Sequence, residues 1–260
     1  MTSPPAMALS SKARWALVIS ALVTFALYLI PHGRYLAYPL LLISTLVHEL
    51  GHGIAAELMG GDFMRFEMFS NGSGVAMSRG VSSGAAQAFV AAGGLCGPAV
   101  AAALMIGLAP RPKWARYVLG GFGAMLALSV LLVVRNGFGM AFTGILAALC
   151  LLIAVKGRAN WAQNTLVFLG VQLALSVYSR GDYLFMKTAD TSIGPMPSDS
   201  QNMALAMGGS YWFWGAMCAT FSAVMLAAGA YAFWRGTHSG PVVVRPVSGG
   251  KSLTARKPAA

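Results

Sequence analysis

Long apolar segments alternate with short polar ones along most of the chain. An α-helix needs about 20 apolar residues to cross a bilayer, and apolar runs near that length recur throughout. We predict helices over seven segments, numbered 15–30, 35–59, 86–109, 117–134, 138–155, 165–185 and 211–234. The pattern therefore predicts an all-α polytopic membrane protein with about seven transmembrane helices.

Two polar segments interrupt this pattern inside the helical region. Residues 60–85 contain "FMRFEMF", which alternates in character, followed by "NGSG", a turn signal. They predict a short β-hairpin or a re-entrant loop. Residues 186–210 are polar and precede the last apolar run. We expect one domain over 1–234 and a basic, disordered tail over 235–260, because the tail has few apolar residues.

Composition agrees with a membrane protein. The 260 residues are 57% hydrophobic and 10% charged, whereas a soluble domain carries about 25% charged residues. The net charge of +11 comes from basic residues in loops and the tail, a distribution typical of loops beside anionic lipid rather than of a nucleic-acid surface. Eleven Lys and Arg lie on one side of the predicted bundle and seven on the other, which favours an external N-terminus and a cytoplasmic tail.

Few side chains offer metal or acid-base chemistry. The chain has seven acidic residues, so a mechanism that depends on a carboxylate has few candidates. The three cysteines, Cys96, Cys150 and Cys218, lie in apolar segments and form no CxxC pair. We expect them to be small packing residues rather than a disulfide framework or a thiolate metal site.

The second predicted span carries the segment "LVHELGHG". His48 and His52 are four residues apart, so a helix places both imidazoles on one face. In the HExxH pattern two such histidines bind Zn²⁺ and the intervening glutamate, here Glu49, is the general base. Three ionisable groups in an apolar span are costly unless a partner such as a metal compensates. The motif therefore predicts a zinc site in which Glu49 is catalytic.

A hydrolytic zinc site has three protein ligands and one open position, and the motif supplies two. Glu57 lies off the His48–His52 face of the helix and is expected to be a carboxylate at the helix end. The remaining candidates are Asp182, at the end of a long apolar segment, and Asp199, in "PSDSQNMA". We favour Asp182 and keep Asp199 as the alternative, since Ser198 or Asp199 is also expected to cap a short helix.

The chain resembles the site-2 protease family of intramembrane zinc metalloproteases, in particular its small bacterial and plant branch. The resemblance rests on "HELGH" in an early span, "GGDFMRFEMFSNGSGVAM" after it, "AAGGLCGPAVAAALMI", and "SDSQNMA" before a Trp-rich last span. The main family takes its third ligand from an aspartate in a stretch similar to "RNGFGMAFTG". In this chain Thr143 stands in the place of that aspartate, which is why the third ligand is sought at Asp182 or Asp199.

The resemblance implies a zinc enzyme whose substrate is a transmembrane segment of another membrane protein, and a location in the bacterial cytoplasmic membrane. The segment 62–85 would pair with an extended substrate by strand addition, or would be a structural hairpin. The alternative function is that of a catalytically weak or inactive relative that acts as a membrane scaffold or binding protein. Metal transport is not favoured, because ionisable ligands do not recur on several spans.

Overall fold

The molecule is a helical bundle with two small β-hairpins. The computed structural model describes residues 6–31, 33–179, 183–191 and 194–238. Within these residues it contains eight α-helices: α1 (Ala6–Leu29), α2 (Gly33–Leu58), α3 (Gly84–Leu108), α4 (Pro112–Leu132), α5 (Gly137–Lys156), α6 (Ala159–Ser179), α7 (Asp199–Met207) and α8 (Tyr211–His238). The seven long helices correspond to the seven predicted segments, so the predicted all-α polytopic class is confirmed.

Five of these helices, α2 to α5 and α8, are long and apolar enough to cross a membrane. In α1 the apolar stretch covers only Ala13–Thr24, which is shorter than a membrane span. α6 falls short because it carries amide side chains, of which Gln163 and Gln172 are buried. Gln163 donates to the carbonyl of Ala109 at 2.9 Å, and Gln172 donates to the hydroxyl of Thr24. α6 is therefore an interior helix whose buried amide side chains are hydrogen-bonded, and it is not a uniformly apolar span.

The segment after α2 forms the predicted β-hairpin. β1 (Asp62–Met68) pairs antiparallel with β2 (Gly74–Arg79), with an irregularity between Phe63 and Arg65. The other edge of β1 is covered by the connection between α4 and α5, because Phe66 N–H donates to Val133 O at 2.8 Å and Arg135 N–H donates to Phe66 O at 3.0 Å. The hairpin is therefore tied to the bundle through β1, and β2 is its outer strand.

The region before α8 differs from the sequence prediction. α6 ends at Ser179 rather than continuing to residue 185, and Tyr183–Phe185 form a short 3-10 helix. The polar segment contains β3 (Thr188–Thr191) and β4 (Gly194–Pro197), a second antiparallel hairpin that was not predicted, followed by α7, the short helix expected after Ser198. Strands of four residues are too short to show a period, which explains why the sequence pattern does not reveal them.

α3 occupies the centre of the bundle and packs against α2, α6, α7 and α8. Its contact with α2 is close enough for the backbones to touch: a Cβ atom added to Gly51 would lie 2.2 Å from Gly93 O. Such an approach is possible only where neither helix has a side chain. α8 continues to His238, four residues into the predicted tail, and residues 239–260 lie outside the described part of the chain.

Candidate metal centre

The two histidines of the motif converge on one point. Both lie on α2, one helical turn apart, so their imidazoles share a face of the helix. The Nε2 atoms of His48 and His52 are 3.1 Å apart, and the two rings meet edge to face. Two nitrogen ligands are thus available at one position, as the spacing predicts.

A carboxylate from α7 completes the cluster. Ser198 caps α7 by accepting a hydrogen bond from Gln201 N–H at 3.2 Å, which fixes Asp199 in the first turn. Asp199 Oδ2 lies 3.1 Å from His48 Nε2, and Asp199 Oδ1 lies 3.4 Å from His52 Nε2. The aspartate is 7% exposed. The structure therefore brings the alternative candidate, Asp199, to the histidines, whereas Asp182 lies outside the described residues.

The spacing of these three ligand atoms suits zinc. Tetrahedral Zn²⁺ with bonds of about 2.0–2.1 Å to nitrogen and oxygen requires ligand atoms about 3.3 Å apart. The two histidine Nε2 atoms are 3.1 Å apart, and each lies near a different oxygen of Asp199, His48 at 3.1 Å from Oδ2 and His52 at 3.4 Å from Oδ1. Two imidazoles and one carboxylate are also an established ligand set for hydrolytic zinc. The residues present therefore fit a zinc ion with an open fourth position.

Main-chain groups of α3 hold His52 in place. Its Nδ1 atom lies 2.9 Å from Val90 O, so Nδ1–H donates to that carbonyl and Nε2 is left as the metal-binding atom. The ring also lies directly against Gly94, where an added Cβ would be 2.2 Å from Nε2. α3 thus determines both the tautomer and the position of this ligand.

Glu49 lies between the histidines in sequence and faces the first hairpin. It is 7% exposed, and its carboxylate accepts a hydrogen bond from the backbone N–H of Ala76 in β2. Gly74 gives it room, since an added Cβ there would lie 2.7 Å from Glu49 Cγ. The outer strand of the hairpin therefore positions the predicted general base.

Tyr183 is a site residue that the sequence does not reveal. Its hydroxyl donates to Asp199 Oδ2 at 3.2 Å, and its ring packs edge to face on His48 at 5.9 Å. Burial and the nearby negative charge of Asp199 raise the pKa of Tyr183, so the hydroxyl stays protonated and remains a donor. For Asp199, burial acts to raise the pKa, but the adjacent imidazoles outweigh it and hold the pKa below its ordinary value.

Two other residues considered from the sequence are outside the cluster. Glu57 accepts a hydrogen bond from Phe63 N–H at 2.7 Å and so joins the end of α2 to β1, in agreement with its expected place at the helix end. Thr143 is fully buried in α5, and its hydroxyl has no hydrogen-bond partner among the described residues. Among those residues the His/Cys/Asp/Glu cluster that can hold a metal is His48, His52 and Asp199.

Comparison with known proteins gives one match. No curated protein and no solved structure matches the chain. The model of the Peptidase M50B-like family matches residues 18–229, a range that contains the motif, the first hairpin and α7. The match covers most of the chain, agrees with the resemblance to site-2 proteases, and includes every residue of the metal cluster. The chain therefore belongs to the Peptidase M50B-like family.

Proposed function

We propose that the protein is a zinc metalloprotease that hydrolyses peptide bonds in or near transmembrane segments of other membrane proteins. One observation carries this proposal. His48, His52 and Asp199 meet at separations of 3.1–3.4 Å on a membrane-spanning helix and its neighbour, with the buried Glu49 beside them. Four ionisable residues placed together in an apolar bundle are expensive without a bound cation.

Each residue has a role that follows from its position. His48, His52 and Asp199 hold the zinc, which supplies Lewis-acid activation of water and of the substrate carbonyl at neutral pH. Glu49 takes the proton of the attacking water and returns it to the leaving amine. Ala76 N–H holds the Glu49 carboxylate in one orientation, and Tyr183 holds Asp199 by its hydrogen bond. Val90 O keeps His52 in the metal-binding tautomer.

The outer strand β2 is suited to present an extended substrate. Phe66 and Met68 of β1 direct their backbone groups to residues 133–136. Ala76 and Gly74 lie opposite Phe66 and Met68. In an antiparallel pair their backbone N–H and C=O groups must therefore point away from β1. That outward edge faces Glu49. A substrate segment added to β2 would therefore lie beside the base, in the extended form that hydrolysis requires.

The substrate class follows from the surroundings of the site. The motif lies in a helix that is long and apolar enough to span the bilayer, so the peptide bond must come from within or close to the membrane. A helical substrate must unwind locally before it can pair with β2 as a strand. The expected partner is a membrane protein with a transmembrane segment, and the expected location is the bacterial cytoplasmic membrane.

Zinc stoichiometry and cleavage can be measured on the same variants. Wild type should carry one zinc per chain and cleave a co-expressed single-span membrane protein. Glu49→Gln should keep the zinc and lose cleavage, because it removes the base and no ligand. Asp199→Asn should lose zinc, whereas Asp190→Asn, the same change on an exposed strand, should not. Absence of zinc from wild type purified without chelator would refute the proposal.

Asp182→Asn belongs in the same series, because the sequence favours that residue. If Asp182→Asn lowered zinc content while Asp199→Asn left it intact, the ligand assignment would be wrong although the enzyme class would stand. If the protein binds zinc but shows no Glu49-dependent cleavage of any of several substrates, the scaffold function would be favoured instead.

A further inference from the structure

A second group of possible metal ligands lies on another side of α3. Cys96 of α3, Cys218 of α8 and Met203 of α7 come together in a small hydrophobic cluster. Cys218 Sγ lies 3.9 Å from Met203 Sδ, and Cys96 packs against the same cluster. Three sulfur-bearing side chains from three helices therefore pack together at one place.

We propose that Cys96, Cys218 and Met203 form a binding site for a soft monovalent cation of the Cu(I) type. Thiolate and thioether sulfurs favour Cu(I), whereas harder divalent cations favour oxygen and imidazole. Three sulfurs around a cation in one plane, at bonds of about 2.3 Å, are about 4 Å apart. The separation of 3.9 Å between Cys218 Sγ and Met203 Sδ matches one side of this arrangement.

The burial of the cluster agrees with such a site. Cys218 and Met203 are 3% and 4% exposed, and Cys96 is partly buried. Ser222, one turn after Cys218 on α8, is buried beside it. A three-coordinate cation needs no further ligand. Apolar surroundings would penalise a hydrated divalent ion, but for this reason they do not exclude a three-coordinate cation. Coordination releases the protons of the coordinating thiols to water.

A groove leads a cation to the cluster of Cys96, Cys218 and Met203. Cys96, Cys218 and Met203 line an apolar groove of about 780 Å³ between α3 and its neighbours. The same groove contains four more methionines, Met105, Met125, Met207 and Met217. Thioethers bind Cu(I) weakly and exchange it readily, so they are suited to pass the ion inward.

The site is separate from the zinc centre but shares a helix with it. Met203 lies one turn after Asp199 on α7, so a cation bound by Met203 fastens the helix that carries the third zinc ligand. The proposal does not depend on proteolysis, because its ligands include none of the zinc ligands. The two can be tested independently.

Competition with a chromogenic Cu(I) chelator tests the site in the purified, reduced, zinc-loaded full chain. Wild type should retain one Cu(I) per chain. Cys96→Ser and Cys218→Ser should each weaken binding at least tenfold, and Met203→Leu, which conserves volume, should weaken it less. Cys150→Ser is the matched control, since Cys150 is buried in α5 against Gly123 and outside the cluster.

X-ray absorption gives a second test that does not rely on the stability of the variants. The copper should have only sulfur neighbours, at about 2.3 Å. Nitrogen or oxygen neighbours, or no retained Cu(I) in wild type, would overturn the proposal. It would also be overturned if Cys96→Ser and Cys218→Ser bound Cu(I) as tightly as Cys150→Ser.

Discussion

Gly94→Ala tests how α3 positions the metal ligand His52. The added methyl group would lie 2.2 Å from His52 Nε2, 2.3 Å from Cε1 and 2.8 Å from Cδ2. Three atoms of one ring would be contacted at once, so the ring must move as a unit. Because the methyl group is fixed to the helix backbone, the imidazole is the group that yields.

The displacement can be estimated from these distances. Ordinary van der Waals contact begins at 3.4 Å, so Nε2 must retreat by about 1.2 Å from its present position. Zinc sites tolerate deviations of about 0.2 Å in ligand position. The movement also breaks the hydrogen bond from His52 Nδ1 to Val90 O, and loss of such an outer bond alone lowers metal affinity about 10–100-fold. We therefore expect at least a 100-fold loss of zinc affinity, about 2.7 kcal/mol.

Competition with a zinc chelator measures this change in detergent-solubilised protein. Gly144→Ala is the matched control: it is also a helical glycine, and an added Cβ there meets nothing within 4 Å. The control should keep wild-type zinc affinity and, as a glycine-to-alanine change within a helix, gain up to about 1 kcal/mol of stability. Zinc affinity of Gly94→Ala within threefold of wild type would show that His52 is not the ligand held at this position.

Three further changes test the hydrogen bonds, the hairpin edge and the packing. Tyr183→Phe removes a hydrogen bond to Asp199 and should lower zinc affinity about tenfold in the same chelator assay; unchanged affinity would exclude a positioning role. Ser78→Pro removes an outward N–H from β2 and should slow substrate cleavage while zinc content stays normal; normal cleavage would exclude strand addition. Gly229→Ala places a Cβ 2.6 Å from Ala103 Cα and should lower the free energy of unfolding by about 1–3 kcal/mol, measured by thermal unfolding, whereas Gly120→Ala, a helical glycine without such a contact, should raise it by up to about 1 kcal/mol.

The helices and the zinc-binding face of α2 are predictable from the sequence because their signals are local. About 20 apolar residues indicate a span wherever they occur, and four-residue spacing puts His48 and His52 on one face of any helix. The hairpin after α2 is also predictable, since alternation and a turn signal lie within one short segment. None of these features depends on how distant parts of the chain pack.

The third ligand depends on long-range packing, which a sequence pattern does not show: the sequence favours Asp182, which lies outside the described residues, over Asp199. Asp182 adjoins a long apolar segment, which favours it, whereas Asp199 follows Ser198 and carries the local signal of a helix N-terminus. The structure shows that Asp199 lies in that helix start and also beside the histidines. A capping position and a metal-binding position are compatible, because Ser198 makes the cap and leaves the aspartate side chain available.

The arrangement also explains how costly groups are accommodated in an apolar bundle. Three of the four ionisable side chains of the centre have a hydrogen-bond partner from a different element: Val90 O of α3 for His52, Ala76 N–H of β2 for Glu49, and the Tyr183 hydroxyl for Asp199. Val90, Ala76 and Tyr183 are not part of the HExxH pattern, so that pattern does not identify them. They impose geometry rather than supply charge, and a cation is still needed to balance the carboxylates. The fold therefore positions the side chains that would hold the proposed metal.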